Sequence, residues 1–173
     1  GSKIAIHAAR RGLGPTDIID RASMSPHNYA RHSLLPEPNV RGGAMGYKAD
    51  ILAHALAGFQ QPPRVDVGTV EELCASSEGR AELGNCRLVV NTTGSSLLRE
   101  VLSFRNWETR PTLADAHLLG AGSIAYSAFE GPNGNPNLSD IAAESYRILA
   151  KDDALRTKVF SAEAQAIDIG QGC

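Results

Sequence analysis

The chain has 173 residues, of which 42% are hydrophobic and 21% charged, as is typical of a globular protein with one core. A net charge of −2 argues against nucleic acid as the main partner, and no apolar run approaches the roughly 20 residues that span a bilayer. Three cysteines without a CxxC pair argue against a disulfide framework or a cysteine zinc site, and no other metal-ligating set is visible. We therefore expect a cytoplasmic protein without a membrane segment.

The first half of the chain alternates between predicted helices and short strands. Residues 3–11 are rich in alanine and isoleucine and end in RRGLG, where glycines follow two arginines, which predicts a helix and its end. The β-branched residues within 17–20 predict a short buried strand that stops at an acid. A long loop at 21–44 precedes a predicted helix at 46–59 and a strand at 62–70, and loops of that length usually carry function.

The second half continues this alternation. CRLVVNTTG at 86–94 predicts the clearest buried strand, and SSLLREVLSF at 95–104 predicts a helix with a serine cap. The other predicted elements are a polar helix at 71–83, one or two strands at 111–129, and helices at 138–149 and 152–160. Alternating helices and strands indicate βαβ units. We predict an α/β fold with a Rossmann-like, mostly parallel sheet, helices on both faces, and one domain over residues 1–173.

In a parallel sheet, ligands bind beyond the carboxyl ends of the strands. We therefore expect Asp20, residues 91–94 and residues 111–122 to lie along one edge. An acid that ends a strand about 20 residues after a glycine-led helix start is the usual ligand of a nucleotide ribose. The helix that begins at Gly1 would offer its free N–H groups to a phosphate. Gly1 and Ser2 could equally be residues left by cloning.

An ordered set of short motifs carries a more specific resemblance. The matching positions are residues 12–14, the acid at Asp20, Asn28 with Arg31, and Gly46 with Lys48, followed by LVVNTTGSSLLREVL and PTLADAHLLGAGSIA. This order resembles the ThiF/MoeB/HesA family, which has the fold of ubiquitin-activating enzymes. The similarity covers residues 1–130, and residues 131–173 form C-terminal helices and a tail.

The resemblance implies that the protein adenylates the C-terminal carboxylate of a ubiquitin-like or sulfur-carrier protein, with ATP and Mg²⁺. Asp20 would hold the ribose, Gly1 and Asn28 would contribute to nucleotide binding, and Arg31 and Lys48 would neutralise phosphate charge during catalysis. Cys173 would then accept the activated group as a thioester. Related enzymes are commonly dimers, which suggests a homodimer.

The sequence departs from the family pattern where acids are expected. Ala22 replaces the second acid after the strand, and Asn91 and Gly94 stand where the family has its magnesium-contacting acid. Asp115 lies near the end of the next strand and is a candidate substitute. The first strand and the first two glycines of the fingerprint are missing, so we expect the chain to be a fragment.

Two other functions remain open at this stage. A non-catalytic module that keeps the adenylation fold and docks a small protein is favoured by the lost acids at positions 22 and 94. A Rossmann-type NAD-dependent oxidoreductase is the other alternative. An Asn and an Arg three residues apart have no evident use with a dinucleotide, which argues against it.

Overall fold

The computed structural model describes residues 1–25, 28, 32–34, 46–120 and 122–160. The chain divides into two compact units, Gly1–Glu72 and Leu73–Cys173, and each is described by itself.

The first unit contains a small βαβ arrangement. Its elements are helix α1 (Ser2–Arg10), strand β1 (Asp17–Ile19), helix α2 (Lys48–Leu56) and strand β2 (Arg64–Asp66). The two strands pair in parallel, with Ile18 opposite Val65. A parallel pair cannot be joined by a tight turn, and here α2 lies in the connection between the strands.

The core of the first unit lies between its two helices and β1. Ala9 of α1 packs with Leu52 and Leu56 of α2, and Ile6 and Ile18 pack against this cluster. Helix α1 ends where Gly12 adopts a φ of +73°, a conformation that side chains disfavour, so its glycine stops the helix as predicted.

Among its described residues, the second unit contains a three-stranded sheet and four α-helices, α4 to α7. Helix α3 spans the boundary between the two units. The elements are α3 (Val70–Ala75), α4 (Ser77–Asn85), β3 (Leu88–Asn91), α5 (Ser96–Phe104), β4 (Thr112–Leu119), β5 (Ile124–Phe129), α6 (Leu138–Leu149) and α7 (Asp153–Phe160). The strand order is β3-β4-β5, with β3 parallel and β5 antiparallel to β4. Helices α5 and α6 contact the sheet and each other.

The two faces of this sheet differ in exposure. Leu113 and Ala128 are buried on one face. On the other face Leu88 is 46% exposed, Leu118 66% and Phe129 65%. The prediction that the strand at 86–94 is buried is therefore wrong for Leu88 and Val90, because β3 lies at the edge of the sheet and the described residues cover this face only in part.

The α/β class is confirmed, and so are the two strands within residues 111–129 and the helix at 138–149. The single predicted helix at 71–83 is instead two helices. Ser76 is extended, with φ −88° and ψ 153°, and its side chain accepts a hydrogen bond from the Gly79 N–H at 2.9 Å. A serine that caps a new helix in this way ends the preceding one.

In the part of the chain that the structure describes, no helix is long and apolar enough to cross a membrane.

Candidate functional site

The acid that follows β1 lies in a tight turn. The backbone N–H of Asp20 donates to the Asp66 carbonyl at 3.0 Å, which extends the pairing with β2 by one residue. Its Oδ1 accepts a hydrogen bond from the Ala22 N–H at 2.8 Å. Its other oxygen accepts none from the described residues, and the residue is only partly buried. Among the described residues, one carboxylate oxygen of Asp20 therefore has no hydrogen-bond partner.

Lys48 is held beside this turn by the backbone. Its N–H donates to the Ala22 carbonyl at 2.8 Å, and Ser23 pairs with Tyr47 in an antiparallel bridge. These bonds connect the start of α2 to the turn that Asp20 caps. The Lys48 ammonium group forms no hydrogen bond or ion pair with the described residues. Among the described residues it is therefore a cation without an anionic partner.

The start of α1 is connected to the loop that follows the Asp20 turn. Gly1 precedes the helix without a side-chain cap, so the first N–H groups of α1 are not used by a capping side chain. The Ser2 hydroxyl accepts from the Ser33 N–H at 3.3 Å and lies 3.0 Å from the Ser33 hydroxyl. The end of the helix that carries partial positive charge therefore lies against this loop.

The pKa of His32 depends on its burial and on the charges around it. Burial lowers the pKa of His32, the positive charges of Lys48 and the Gly1 amino group lower it further, and Asp20 raises it. Burial likewise lowers the pKa of the Gly1 amino group, against the opposing effect of Asp20. Gly1, Asp20, His32 and Lys48 are therefore close enough to interact electrostatically, and we call these four residues the α1 site.

His32 is absent from the residues predicted from the sequence. Its backbone N–H donates to the Asn28 carbonyl at 2.8 Å, and its Nδ1 accepts from the Leu34 N–H at 3.3 Å. The sequence signal that could have identified His32 as a site residue is its position directly after Arg31 of the Asn28–Arg31 motif.

The other predicted residues of the site are placed differently. Asn28 is buried, and its side-chain amide donates to the Ser25 hydroxyl, so part of its hydrogen-bonding capacity is used within the loop. Arg31 and Cys173 lie outside the described residues.

The second unit has polar residues at the corresponding end of β3. Asn91 is buried, and its side-chain oxygen accepts from the Thr93 N–H at 3.1 Å and from the Thr93 hydroxyl at 2.8 Å. Gly94 has a φ of +72°. A side chain disfavours that conformation, which is a local reason for glycine at this position.

Asp115 does not lie free beside a metal position. It is paired with Asn91 across the β3–β4 ladder and is 1% exposed. Arg99 donates to its Oδ2 at 3.3 Å, and His117 Nδ1 lies 3.4 Å from its Oδ1. Because Arg99 already neutralises this buried carboxylate, Asp115 is not free to serve as the substitute magnesium ligand that the sequence suggested.

The described residues contain no group of three or more side chains that could together hold a metal ion.

The predicted sheet edge is divided between two sheets. Asp20 follows a strand of the two-stranded sheet, whereas Asn91 and Asp115 belong to the three-stranded one. Of the residues predicted to form the site, the α1 site contains Gly1, Asp20 and Lys48. It also contains His32, which was not predicted.

In comparisons with protein-family models and with curated proteins, no match to this chain was found.

Proposed function

We propose that the α1 site binds ATP, and that the protein uses it to activate the C-terminal carboxylate of a ubiquitin-like or sulfur-carrier protein. The observation that carries the proposal is the grouping of a helix N-terminus at Gly1, an acid at Asp20 and a cation at Lys48: the backbone of Ala22 joins the Asp20 carboxylate to the Lys48 N–H, and Ser2 at the start of α1 is hydrogen-bonded to Ser33 of the same loop. These are three of the groups that a nucleotide needs, and the described residues leave part of the hydrogen-bonding capacity of each unused.

Each group suits one part of the nucleotide. The free N–H groups at the start of α1 and the Lys48 ammonium group favour phosphate oxygens. The unused carboxylate oxygen of Asp20 suits a ribose hydroxyl. His32 lies beside Lys48 and is a further donor to phosphate when it is protonated.

The proposed reaction brings two anions together. An oxygen of the carrier's carboxylate attacks the α-phosphorus of ATP, the bond from that phosphorus to the pyrophosphate oxygen breaks, and pyrophosphate leaves. The product is an acyl-adenylate. Lys48 offsets the repulsion between carboxylate and phosphate, and such preorganised charge stabilises the transition state. Two further roles in the proposal rest on the family resemblance alone. Arg31 would be a second cation at the phosphates, and Cys173 would accept the activated group as a thioester.

The proposal includes no step that uses Mg²⁺, since Asp115 is already paired with Arg99. A cytoplasmic location accords with a reaction that needs ATP and a reduced thiol.

Calorimetric titration of the chain with ATP tests the nucleotide site. We expect Lys48→Gln to weaken ATP binding roughly ten- to hundred-fold, the value of one charge-assisted hydrogen bond. Lys151→Gln is the matched control, because Lys151 is exposed and lies in the second unit. NAD should bind more weakly than ATP. Equal ATP affinity in wild type and Lys48→Gln, or tighter binding of NAD, would contradict the proposal.

A second candidate function is a docking module that binds the carrier without activating it. The pairing of Asp115 with Arg99 and the backbone conformation of Gly94 favour it, because together they leave no carboxylate at the family's metal position. Exchange of pyrophosphate into ATP distinguishes the two functions. A carrier that binds the protein but produces no exchange would favour the docking module.

A further inference from the structure

A cleft next to the α1 site runs along the side of α1. It has a volume of about 450 Å³, within the usual range for binding sites. Lys3, His7 and Arg10 of α1 line it on one side. These positions are four and three residues apart, so they lie on one face of the helix. All three side chains are exposed.

The remaining lining of the cleft is mostly apolar. Ile6 of α1, Leu34 of the loop and Phe59 beyond α2 contribute to it. Phe59 is 51% exposed, and the Arg10 guanidinium lies 5.8 Å from the centre of its ring. Among the described residues, no acid lines the cleft, and Lys3 and Arg10 form no ion pair. Cations without an acid among these lining residues, beside an exposed aromatic ring, favour an anionic ligand that also has an apolar part.

The distance along the helix indicates how large that ligand is. Lys3 and Arg10 are seven residues apart, which corresponds to about 10 Å at 1.5 Å per residue. One carboxylate or phosphate cannot contact both cations closely over that distance. A peptide in the polyproline II conformation advances about 3.1 Å per residue with three residues per turn, so two carboxylates three residues apart lie on one face of it and match this distance.

We propose that this cleft binds an acidic peptide segment of a partner protein. Two carboxylates about three residues apart lie against Lys3 and Arg10, and an apolar side chain between them packs on Ile6 and Phe59. This inference does not depend on adenylation, because it uses a different face of α1 and requires no nucleotide.

Titrations of the 173-residue chain with short blocked peptides test the proposal by NMR or calorimetry. The probe is acetyl-Glu-Ala-Leu-Glu-amide. One control replaces both of its glutamates by glutamine, and another replaces its leucine by serine. We expect the acidic, leucine-containing peptide to bind most tightly, and its affinity to fall as salt rises, because salt screens exposed charges.

Charge reversal identifies the residues that bind. Arg10→Glu should lower affinity for the acidic peptide by about five-fold or more, since an exposed ion pair is worth up to about 1 kcal/mol and reversal adds repulsion. Lys3→Glu is the second variant, in case Arg10→Glu does not fold by circular dichroism. Lys151→Glu makes the same charge change outside the cleft and should leave affinity within two-fold, or about 0.4 kcal/mol.

Three results would overturn the proposal. The first is equal binding of the glutamine peptide. The second is an equal loss of affinity in Lys151→Glu. The third is tighter binding of a DNA duplex through Lys3 and Arg10, which would assign the cleft to nucleic acid.

Discussion

Replacing Asp115 by asparagine tests whether this carboxylate serves the structure or a ligand. The side chains of Asp115 and Arg99 are 1% and 8% exposed, and their charged groups lie 3.3 Å apart. The substitution would leave the Arg99 guanidinium buried, with the ring of Tyr146 at 5.9 Å from its central carbon. Removing one partner of a buried pair costs about 3–5 kcal/mol, because the other charge stays out of water.

The expected loss is large enough to measure. For a chain of this length, 1 kcal/mol corresponds to roughly 2–4 °C in Tm, so Asp115→Asn should lower Tm by about 6–20 °C. Urea denaturation followed by circular dichroism measures the free energy of unfolding directly. The double substitution Arg99→Met with Asp115→Leu should be less destabilising than Asp115→Asn, because it leaves no buried charge.

An exposed pair provides the control. Arg147 and Glu144 form an ion pair on α6 in which both side chains are more than half exposed. Arg147→Met should cost far less than Asp115→Asn, because solvent screens an exposed ion pair. The reasoning is refuted if Asp115→Asn costs as little as this control. It is also refuted if the substitution leaves stability unchanged and weakens binding of ATP with Mg²⁺, the behaviour of a metal ligand.

Three further substitutions test local features. The pKa of His32 is lowered in the folded protein, so below pH 6.5 the unfolded chain binds a proton at His32 more readily than the folded protein does. The free energy of unfolding should therefore fall as the pH drops from 6.5 through the folded pKa. Urea denaturation at several pH values measures this dependence, and His32→Gln should flatten it. Asn137→Ala removes the cap of α6 and should cost about 1 kcal/mol in unfolding free energy, whereas an unchanged urea midpoint would contradict the capping role. Gly94→Ala should lower the free energy of unfolding by roughly 1–2 kcal/mol, because alanine disfavours the positive φ at this position. Gly58→Ala, at a position without positive φ, is the control and should lower it less when both variants are compared by thermal denaturation.

The local features of the fold could be predicted because neighbouring residues determine them. The Ser95 hydroxyl accepts from the Leu98 N–H at 3.1 Å, so the predicted serine cap of α5 is confirmed. Helix α6 begins after a capping box made by Asn137 and Asp140. Side-chain caps and apolar spacing involve residues three or four apart, and such patterns can be read directly from a sequence.

The site was partly predictable for the same reason. A strand ending on Asp20 and a helix starting at Lys48 are local patterns, and both lie at the α1 site. The approach of His32 to these charges depends on the path of the loop between them, which no periodicity encodes.

Pairing between distant residues could not be predicted. Arg99 reaches Asp115 across 16 residues, because α5 packs on β4, and this contact gives a structural role to an acid that sequence alone suggested as a metal ligand. The position of β3 at the sheet edge similarly exposes Val90, whose apolar character predicted burial. The amino-acid sequence by itself indicated which segments form most of the helices and strands, since caps and periodicity act over a single turn, although it missed the break at Ser76 between α3 and α4. Only the tertiary structure decided which strands pair, which face is covered and which charges neutralise each other, because those contacts join residues far apart in the chain.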